Sequence, residues 1–132
     1  MDSKYILAGP NQVSTIVTKT ADKFNADCGP NCKINLKICQ GEICCSISKI
    51  TSLVRNGINN FIECKNHGVN TSLPMEISIQ NEGTDQWIAE FVNVMTNING
   101  AYYHCPVGEI QFGNQFIKKT CELKGGILLN RD

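Results

Sequence analysis

Hydrophobic and polar residues alternate along most of this chain, which is the pattern of β-strands with one buried face. The clearest stretch is Leu73–Gln80, where apolar and polar residues follow one another singly. Other runs with strand character are Thr15–Thr20, Lys33–Ile38, Ile43–Ile50, Trp87–Met95, Ala101–Cys105 and Phe116–Cys121.

Residues typical of tight turns separate these runs. Gln40-Gly41-Glu42 predicts a hairpin between two of them, and Asn56-Gly57, Asn81-Glu82-Gly83 and Asn99-Gly100 mark further turns. Only Ser48–Arg55 has a pattern that allows a helical turn. Short strands at regular spacing predict an all-β fold, an antiparallel sandwich or barrel.

Length and charge narrow the class of protein. The chain has 132 residues and a mass of 14.6 kDa, which suits a single domain. Twelve Lys and Arg residues balance twelve Asp and Glu residues, whereas a dedicated nucleic-acid binder carries a basic excess. The longest apolar runs fall well short of a membrane span. We therefore expect neither nucleic acid as a partner nor a transmembrane segment.

Eight cysteines in so short a chain predict a disulfide framework and an exported, extracellular protein. The segment Met1–Tyr5 lacks the character of a signal peptide, so we interpret the sequence as a mature exported segment. Asn70-Thr71-Ser72 is an N-glycosylation sequon, with Asn70 as the acceptor.

Spacing suggests some pairings of these cysteines without fixing them. Cys28 and Cys32 bracket a tight loop, Cys39 and Cys44 flank the predicted hairpin turn, and Cys105 and Cys121 lie on the last two predicted strands. Cys44 and Cys45 are adjacent in a strand, so they point to opposite faces and need different partners. The eighth cysteine, Cys64, is also expected to form a disulfide.

Two alternatives to disulfides are zinc binding and thiol catalysis. Cys64 and His67 have a knuckle-like spacing, but a second matched pair of the usual kind is missing from the sequence. His104 and Cys105 are neighbours in sequence, whereas a catalytic dyad is assembled in space. The sequence also lacks a nucleophile elbow, a metalloprotease motif, a phosphate loop and a dinucleotide fingerprint. We therefore expect a protein that is not an enzyme.

The order of motifs from Val17 onward resembles that of the PLAT domain, also called the lipoxygenase homology (LH2) domain. A strand ends in Thr18–Lys23, a Trp-x-x-Glu-x-Val-x-Val strand lies in Gly83–Val94, and an aromatic stretch closes with Tyr102–Pro106. The likeness runs from about Val13 to Ile110. Small, secreted, cysteine-bearing PLAT proteins have a similar layout.

The resemblance implies an eight-stranded antiparallel β-sandwich made of two four-stranded sheets. It divides the chain into an N-terminal extension (1–12), a disulfide-stabilised sandwich (13–123) and a C-terminal tail (124–132). Some family members bind calcium at one end of the sandwich through oxygen ligands. Here the corresponding loops contain Asp22, Asn25, Asp27, Asn81, Glu82 and Asp85, although Ala21 replaces a family glycine.

Family members usually bind a lipid surface or a partner protein, and we expect the same of this chain. Lipid contact requires exposed apolar side chains at loop tips, and Phe24 is an apolar residue inside a polar turn, with Lys23 beside it. Trp87 begins a strand at the same expected end, where it either joins this contact or packs at the rim of the sandwich.

The first hypothesis is therefore a secreted, monomeric, non-catalytic module that binds lipid or protein and is modulated by calcium. The alternative is a secreted effector or toxin-like protein that binds a host or prey surface protein, using a sheet face with Tyr102 and Tyr103. A third possibility is a small hydrolase on a β-sandwich, for which the sequence offers no evident general base.

Overall fold

The computed structural model describes residues 12–98 and 100–125, which form eight antiparallel β-strands. The strands are β1 (Val13–Thr20), β2 (Ile34–Gln40), β3 (Ile43–Ile50), β4 (Ile58–Phe61), β5 (Met75–Asn81), β6 (Trp87–Thr96), β7 (Tyr102–Ile110) and β8 (Ile117–Lys124). The predicted all-β, eight-stranded, disulfide-stabilised fold is confirmed. The proposed extension, except for Gln12, and the tail beyond Gly125 lie outside the described residues, as does Asn99.

The strands follow the order β3-β2-β5-β8-β7-β6-β1-β4, as one sheet that curls back on itself. Strand β8 makes the fold close on one side, because its first half pairs with β5 and its last three residues pair with β7. The result is a sandwich with β3-β2-β5-β8 on one side and β7-β6-β1-β4 on the other.

Alternation places the apolar residues between the two sheets. In β2, Ile34, Leu36 and Ile38 are buried while Lys37 between them is exposed, as the sequence pattern predicts. The fully buried core includes Ile16, Ile34, Leu36, Ile77, Ile79, Trp87, Val92, Val94, Tyr103 and Ile110. Each of these side chains contributes about 1.5–3 kcal/mol of transfer free energy when it leaves water.

The structure corrects the predicted secondary structure at three places. The helical turn allowed for Ser48–Arg55 is absent: β3 continues to Ile50, and Leu53 then forms an isolated bridge with Cys28. Strand β4 was not predicted, because its short sequence carries no clear alternation and it is held by pairing with β1. Strand β7 runs five residues beyond the predicted Cys105.

Four disulfides join the eight cysteines: Cys28–Cys32, Cys39–Cys44, Cys45–Cys64 and Cys105–Cys121. The three suggested pairings are therefore present. The fourth, Cys45–Cys64, ties edge strand β3 to the segment that follows edge strand β4. It staples the open side of the sandwich, opposite the side that β8 closes.

The antiparallel strands place the connecting segments at two ends of the sandwich. The segments 21–33, 51–57, 82–86 and 111–116 meet at one end, which we call the loop end. The β2–β3 turn, the segment 62–74 and the β6–β7 turn lie at the opposite end. Among the described residues, the structure contains no helix with the length and apolar character needed to cross a bilayer.

Candidate functional site

Backbone hydrogen bonds hold the loop end together. Cys28 and Leu53 exchange both of their N–H···O bonds, at 2.8 and 2.7 Å, which joins segment 21–33 to segment 51–57. Arg55 reinforces this connection, because its Nε donates to Oδ1 of Asp22 over 3.0 Å. Segments 21–33 and 51–57 therefore form one connected surface.

Phe24 is the most exposed large apolar residue of the described chain, with 81% of its surface accessible. It lies in a turn closed by a hydrogen bond from Ala26 N to Lys23 O, and Asn25 in that turn has a left-handed φ of 62°. Ala26 is fully buried and anchors the turn to the body of the sandwich. Phe24 is therefore presented to solvent by a defined turn, and Lys23 is exposed next to it.

Two other loops of the same end also expose apolar side chains, and sequence reasoning missed them. Val54 is 63% exposed in segment 51–57, and Phe112 is 55% exposed in segment 111–116. The available signal was the one that identified Phe24, an apolar residue among polar turn residues. Three separate loops thus expose an apolar side chain at one end of the molecule.

Charges at the loop end are mixed. Lys23 and Lys33 are exposed there, together with Asp22 and Asp27. Lys19, close to this end on β1, is partly buried and forms an ion pair with Glu90 at 3.3 Å. The end therefore lacks a strong excess of either sign, so apolar contact rather than electrostatic attraction would dominate binding at this surface.

The structure contradicts a lipid-contact role for Trp87. Its side chain is completely buried, and its indole Nε1 donates a hydrogen bond to Oγ1 of Thr20 over 2.9 Å. The inward orientation of the first residue of β6 explains the burial, since Trp87 pairs with buried Ile110 across to β7. Trp87 is a packing residue of the core, which was the other interpretation of its position.

Of the six predicted calcium ligands, Asn81 is wholly engaged in holding the loops. It is buried, its Oδ1 accepts from the backbone N–H groups of Lys33 and Gly83, and its Nδ2 donates to Asp85 O over 2.6 Å. An amide that is used on both sides is not available to a cation without breaking these bonds.

Three of the other five predicted ligands accept hydrogen bonds from protein groups. Asp22 pairs with Arg55, Asp85 accepts from Gly29 N at 3.1 Å, and Glu82 accepts from Nδ2 of Asn35 at 3.0 Å. Asn25 and Asp27 are exposed in the Phe24 loop. Within the described ranges, no three His, Cys, Asp or Glu side chains come close enough to hold a metal ion. Calcium needs six to eight oxygen ligands, so these residues do not fit it as they are arranged.

The alternative sites proposed around histidines are occupied by other interactions. Cys64 is bonded to Cys45, so the thiolate that a zinc ion at Cys64 and His67 requires is consumed. Cys105 is bonded to Cys121, and His104 lies on the outer sheet face with its Nδ1 2.8 Å from Oδ1 of Asn93. Neither pair is arranged for catalysis or metal binding.

Tyr102 and Tyr103 do not share a surface, because successive residues of a strand point to opposite faces. Tyr103 is buried, and its hydroxyl donates toward the backbone oxygens of Asn70 and Leu73 while accepting from Gln40 Nε2. Burial raises the pKa of Tyr103 above its usual value, and the hydrogen bond from Gln40 lowers it by a smaller amount. Only Tyr102 lies on the outer face of the sheet.

The sequon residue Asn70 lies at the opposite end from Phe24. Its Oδ1 accepts hydrogen bonds from the backbone N and the hydroxyl of Ser72, at 3.0 and 2.7 Å, and its backbone is held by Gln40. Glycosylation there stays a prediction, but a glycan at Asn70 would leave the loop end uncovered.

Comparisons with known proteins show likeness in structure and not in sequence. No protein-family model matches the chain, and no curated protein matches it. A lipoxygenase, whose structures include a complex with arachidonate, aligns with a TM-score of 0.60 at 11% identity. The alignment covers 82% of this chain and 16% of the lipoxygenase chain.

The alpha toxin of Clostridium absonum aligns with a TM-score of 0.53 at 19% identity, over 86% of this chain and 32% of the toxin. This chain therefore spans well under half of either protein. Both alignments support the fold that the motif order implied, a PLAT-like β-sandwich.

Proposed function

We propose that this chain is a secreted, non-catalytic binding module that places its loop end on a lipid surface. The observation that carries the proposal is the presentation of Phe24, 81% exposed, on a turn fixed by Ala26 and by the Asp22–Arg55 ion pair. In water, the exposed position of the Phe24 ring does not stabilise the protein, because the ring is not buried there. A ring that enters a lipid interface is transferred from water to an apolar medium.

Val54 and Phe112 extend the apolar contact beyond a single side chain. Burial of each of these three side chains in the interface contributes about 1–3 kcal/mol, before the cost of immobilising the protein. Such a module would bind reversibly, and loss of one side chain would weaken binding strongly without abolishing folding.

An extracellular location is consistent with the four disulfides, which persist in oxidising compartments. The likeness to parts of a lipoxygenase and a toxin agrees with a binding module, since in each case the aligned region is a minor part of a larger chain. We therefore propose that this chain contacts a membrane and carries out no catalytic step.

Vesicle sedimentation tests the proposal directly. We would compare the wild-type chain with Phe24→Ser and Val54→Ser on phosphatidylcholine vesicles, with and without phosphatidylserine. Ile62→Ser is the matched control, because Ile62 is 68% exposed but follows β4 at the opposite end of the sandwich. We expect Phe24→Ser to weaken the apparent affinity for vesicles about tenfold and Ile62→Ser to leave it unchanged.

Two results would contradict lipid binding. Absence of sedimentation of the wild-type chain with every vesicle composition would remove the proposal. Equal losses for Phe24→Ser and Ile62→Ser would show that general surface hydrophobicity, and not the loop end, causes the association.

A protein partner is the second candidate, favoured by the outer face of β1, β6 and β7. Phe91, Tyr102 and Pro106 lie there, and the rings of Phe91 and His104 are 5.4 Å apart. If this face binds a cell-surface protein, protease treatment of the target cells should abolish binding of the labelled chain. Tyr102→Ser should then weaken binding while Phe24→Ser does not, the reverse of the outcome for a lipid surface.

A further inference from the structure

A shallow groove of about 250 Å³ lies on the outer face of the β3-β2-β5-β8 sheet, next to the loop end, since Glu82 and Phe116 of its lining belong to loop-end segments. Its lining residues come from four separate parts of the chain, namely Asn35, Leu36, Lys37, Ser46, Ser48, Lys49, Glu82 and Phe116. We propose that this groove binds a saccharide unit that carries one negative charge, such as a uronate or a sugar sulfate.

The floor of the groove is fixed by one amide. Asn35 accepts a hydrogen bond from Lys49 N at 3.0 Å and donates from Nδ2 to both Gln80 and Glu82, at 2.8 and 3.0 Å. Gln80 in turn donates to the backbone of Asn114, in the loop before β8. Three strands and two loops are thus joined beneath the groove, so Asn35 and Glu82 of its lining are held in place before a ligand arrives.

Lys49 is placed in the groove by an irregularity in β3. The β2–β3 register passes from Ile34↔Ile50 to Leu36↔Ile47, so Asn35 faces two residues, Ser48 and Lys49. Lys49 has a left-handed φ of 61°, which costs free energy for any residue other than glycine. Bulges of this kind redirect side chains and are frequent beside functional sites. The strained backbone at Lys49 therefore supports a functional site here independently of the shape of the groove.

Charge determines the class of ligand. Lys37 and Lys49 line the groove, and neither forms an ion pair with a carboxylate of the described residues, while Glu82 is the one acid in the lining. The lining therefore carries a net charge of +1 from two lysines and one glutamate. A sulfate ester or a carboxylate carries a single negative charge, whereas a phosphate monoester carries about −1.5 to −2 at neutral pH. The groove thus matches a monoanion better than a phosphate monoester.

The other lining groups suit a ring with several hydroxyls. Ser46 and Ser48 offer hydroxyls that donate and accept, and Glu82 offers carboxylate oxygens that accept. Phe116 adds an aromatic ring, 43% exposed, whose centroid lies 5.2 Å from the Lys37 ammonium. Donors, acceptors and an apolar ring in one small open groove are what a sugar requires, since its hydroxyls do both and its C–H face is apolar.

The test is calorimetric titration of the full chain with an unsulfated glucuronate–N-acetylglucosamine disaccharide, which carries one negative charge, and with the uncharged glucose–N-acetylglucosamine disaccharide. We expect the charged disaccharide to bind at least tenfold more tightly than the neutral one. The variant carries Lys37→Met and Lys49→Asn, because methionine keeps the apolar stem beside Phe116 and asparagine tolerates a left-handed φ. We expect it to lose that preference. The control is Lys65→Asn at the opposite end, which removes one positive charge from an exposed position, against two in the double variant.

Any of the following outcomes would contradict the proposed binding of an anionic saccharide. Equal binding of charged and neutral disaccharides, or no binding of either, would remove the anionic saccharide. Equal weakening by Lys65→Asn would indicate non-specific attraction. Tighter binding of soluble inositol trisphosphate than of the disaccharide, lost in the double variant, would assign the groove to a phosphorylated headgroup instead. Thermal unfolding of the double variant alone shows whether it is folded, and Phe116→Ala provides a second variant if it is not.

Discussion

The indole Nε1 of Trp87 donates to the hydroxyl of Thr20 over 2.9 Å, and both side chains are completely buried. The bond joins the last residue of β1 to the first residue of β6, directly beneath the loop end. A buried indole N–H without an acceptor is costly, so Thr20 supplies at the core boundary the polar partner that water would otherwise provide.

Thr20→Val should therefore destabilise the protein. We expect a loss of about 1–3 kcal/mol in the free energy of unfolding, because valine keeps the shape of threonine but leaves the indole N–H unpaired. Urea unfolding followed by the fluorescence of Trp87, the single tryptophan, measures the change.

The same strand provides a matched control. Thr18 is also completely buried, but its hydroxyl has no hydrogen-bond partner among the described residues. Thr18→Val should be neutral or stabilising, since it removes an unpaired buried oxygen. Equal losses for the two variants would show that the Trp87–Thr20 bond is not the source of the effect.

The disulfides should contribute unequally to stability. Cys45 and Cys64 are 19 residues apart and staple one side of the sandwich, whereas Cys39 and Cys44 are 5 residues apart across a hairpin turn. The loss of loop-closure entropy in the unfolded chain grows with the length of the closed loop. Replacing Cys45 and Cys64 by alanine should cost about 1 kcal/mol more than replacing Cys39 and Cys44. Denaturant unfolding of the two double variants tests this, and a larger loss for the hairpin pair would contradict it.

Tyr103 makes stability depend on alkaline pH. Burial raises the pKa of Tyr103 above its unfolded value of 10.0, so the folded protein holds the phenolic proton more tightly than the unfolded chain does. The stabilisation is complete below pH 10.0 and is lost as the pH rises through the higher folded pKa. We expect the free energy of unfolding to fall with rising pH in that window. Tyr103→Phe, compared with Tyr102→Phe as control, should remove this part of the slope, and equal slopes in the two variants would contradict the assignment.

Several features of the fold could be predicted because their cause is local. The hairpin between β2 and β3 follows from alternation in Ile34–Ile38 and from the turn at Gly41, which has a left-handed φ of 63°. The separate partners of Cys44 and Cys45 follow from the two faces of a strand. The exposure of Phe24 follows from an apolar residue between polar turn residues.

Other features depend on contacts between distant residues. Nothing in the sequence around β4 indicates a strand, because its pairing with β1 forms only when the chain folds. The orientation of Trp87 depends on its register with Ile110. The amide of Asn81 is committed to Lys33 and Gly83, which a list of oxygen-bearing loop residues cannot show. Composition suggests a candidate ligand, but only the fold decides whether its lone pairs are available.

Calcium should consequently have little effect on stability. Asn81 Oδ1 already accepts two hydrogen bonds, and Asp22 Oδ1 and Asp85 Oδ2 each accept one, so a bound ion would compete with these protein donors. Calcium present at a hundredfold excess over its Kd would stabilise the fold by about 2.7 kcal/mol. We expect no increase of that size in thermal unfolding with millimolar calcium compared with chelator. An increase that Asp85→Asn abolishes, and that Glu63→Gln at the opposite end does not, would instead establish calcium binding at the loop end and show that these side chains exchange their partners for the ion.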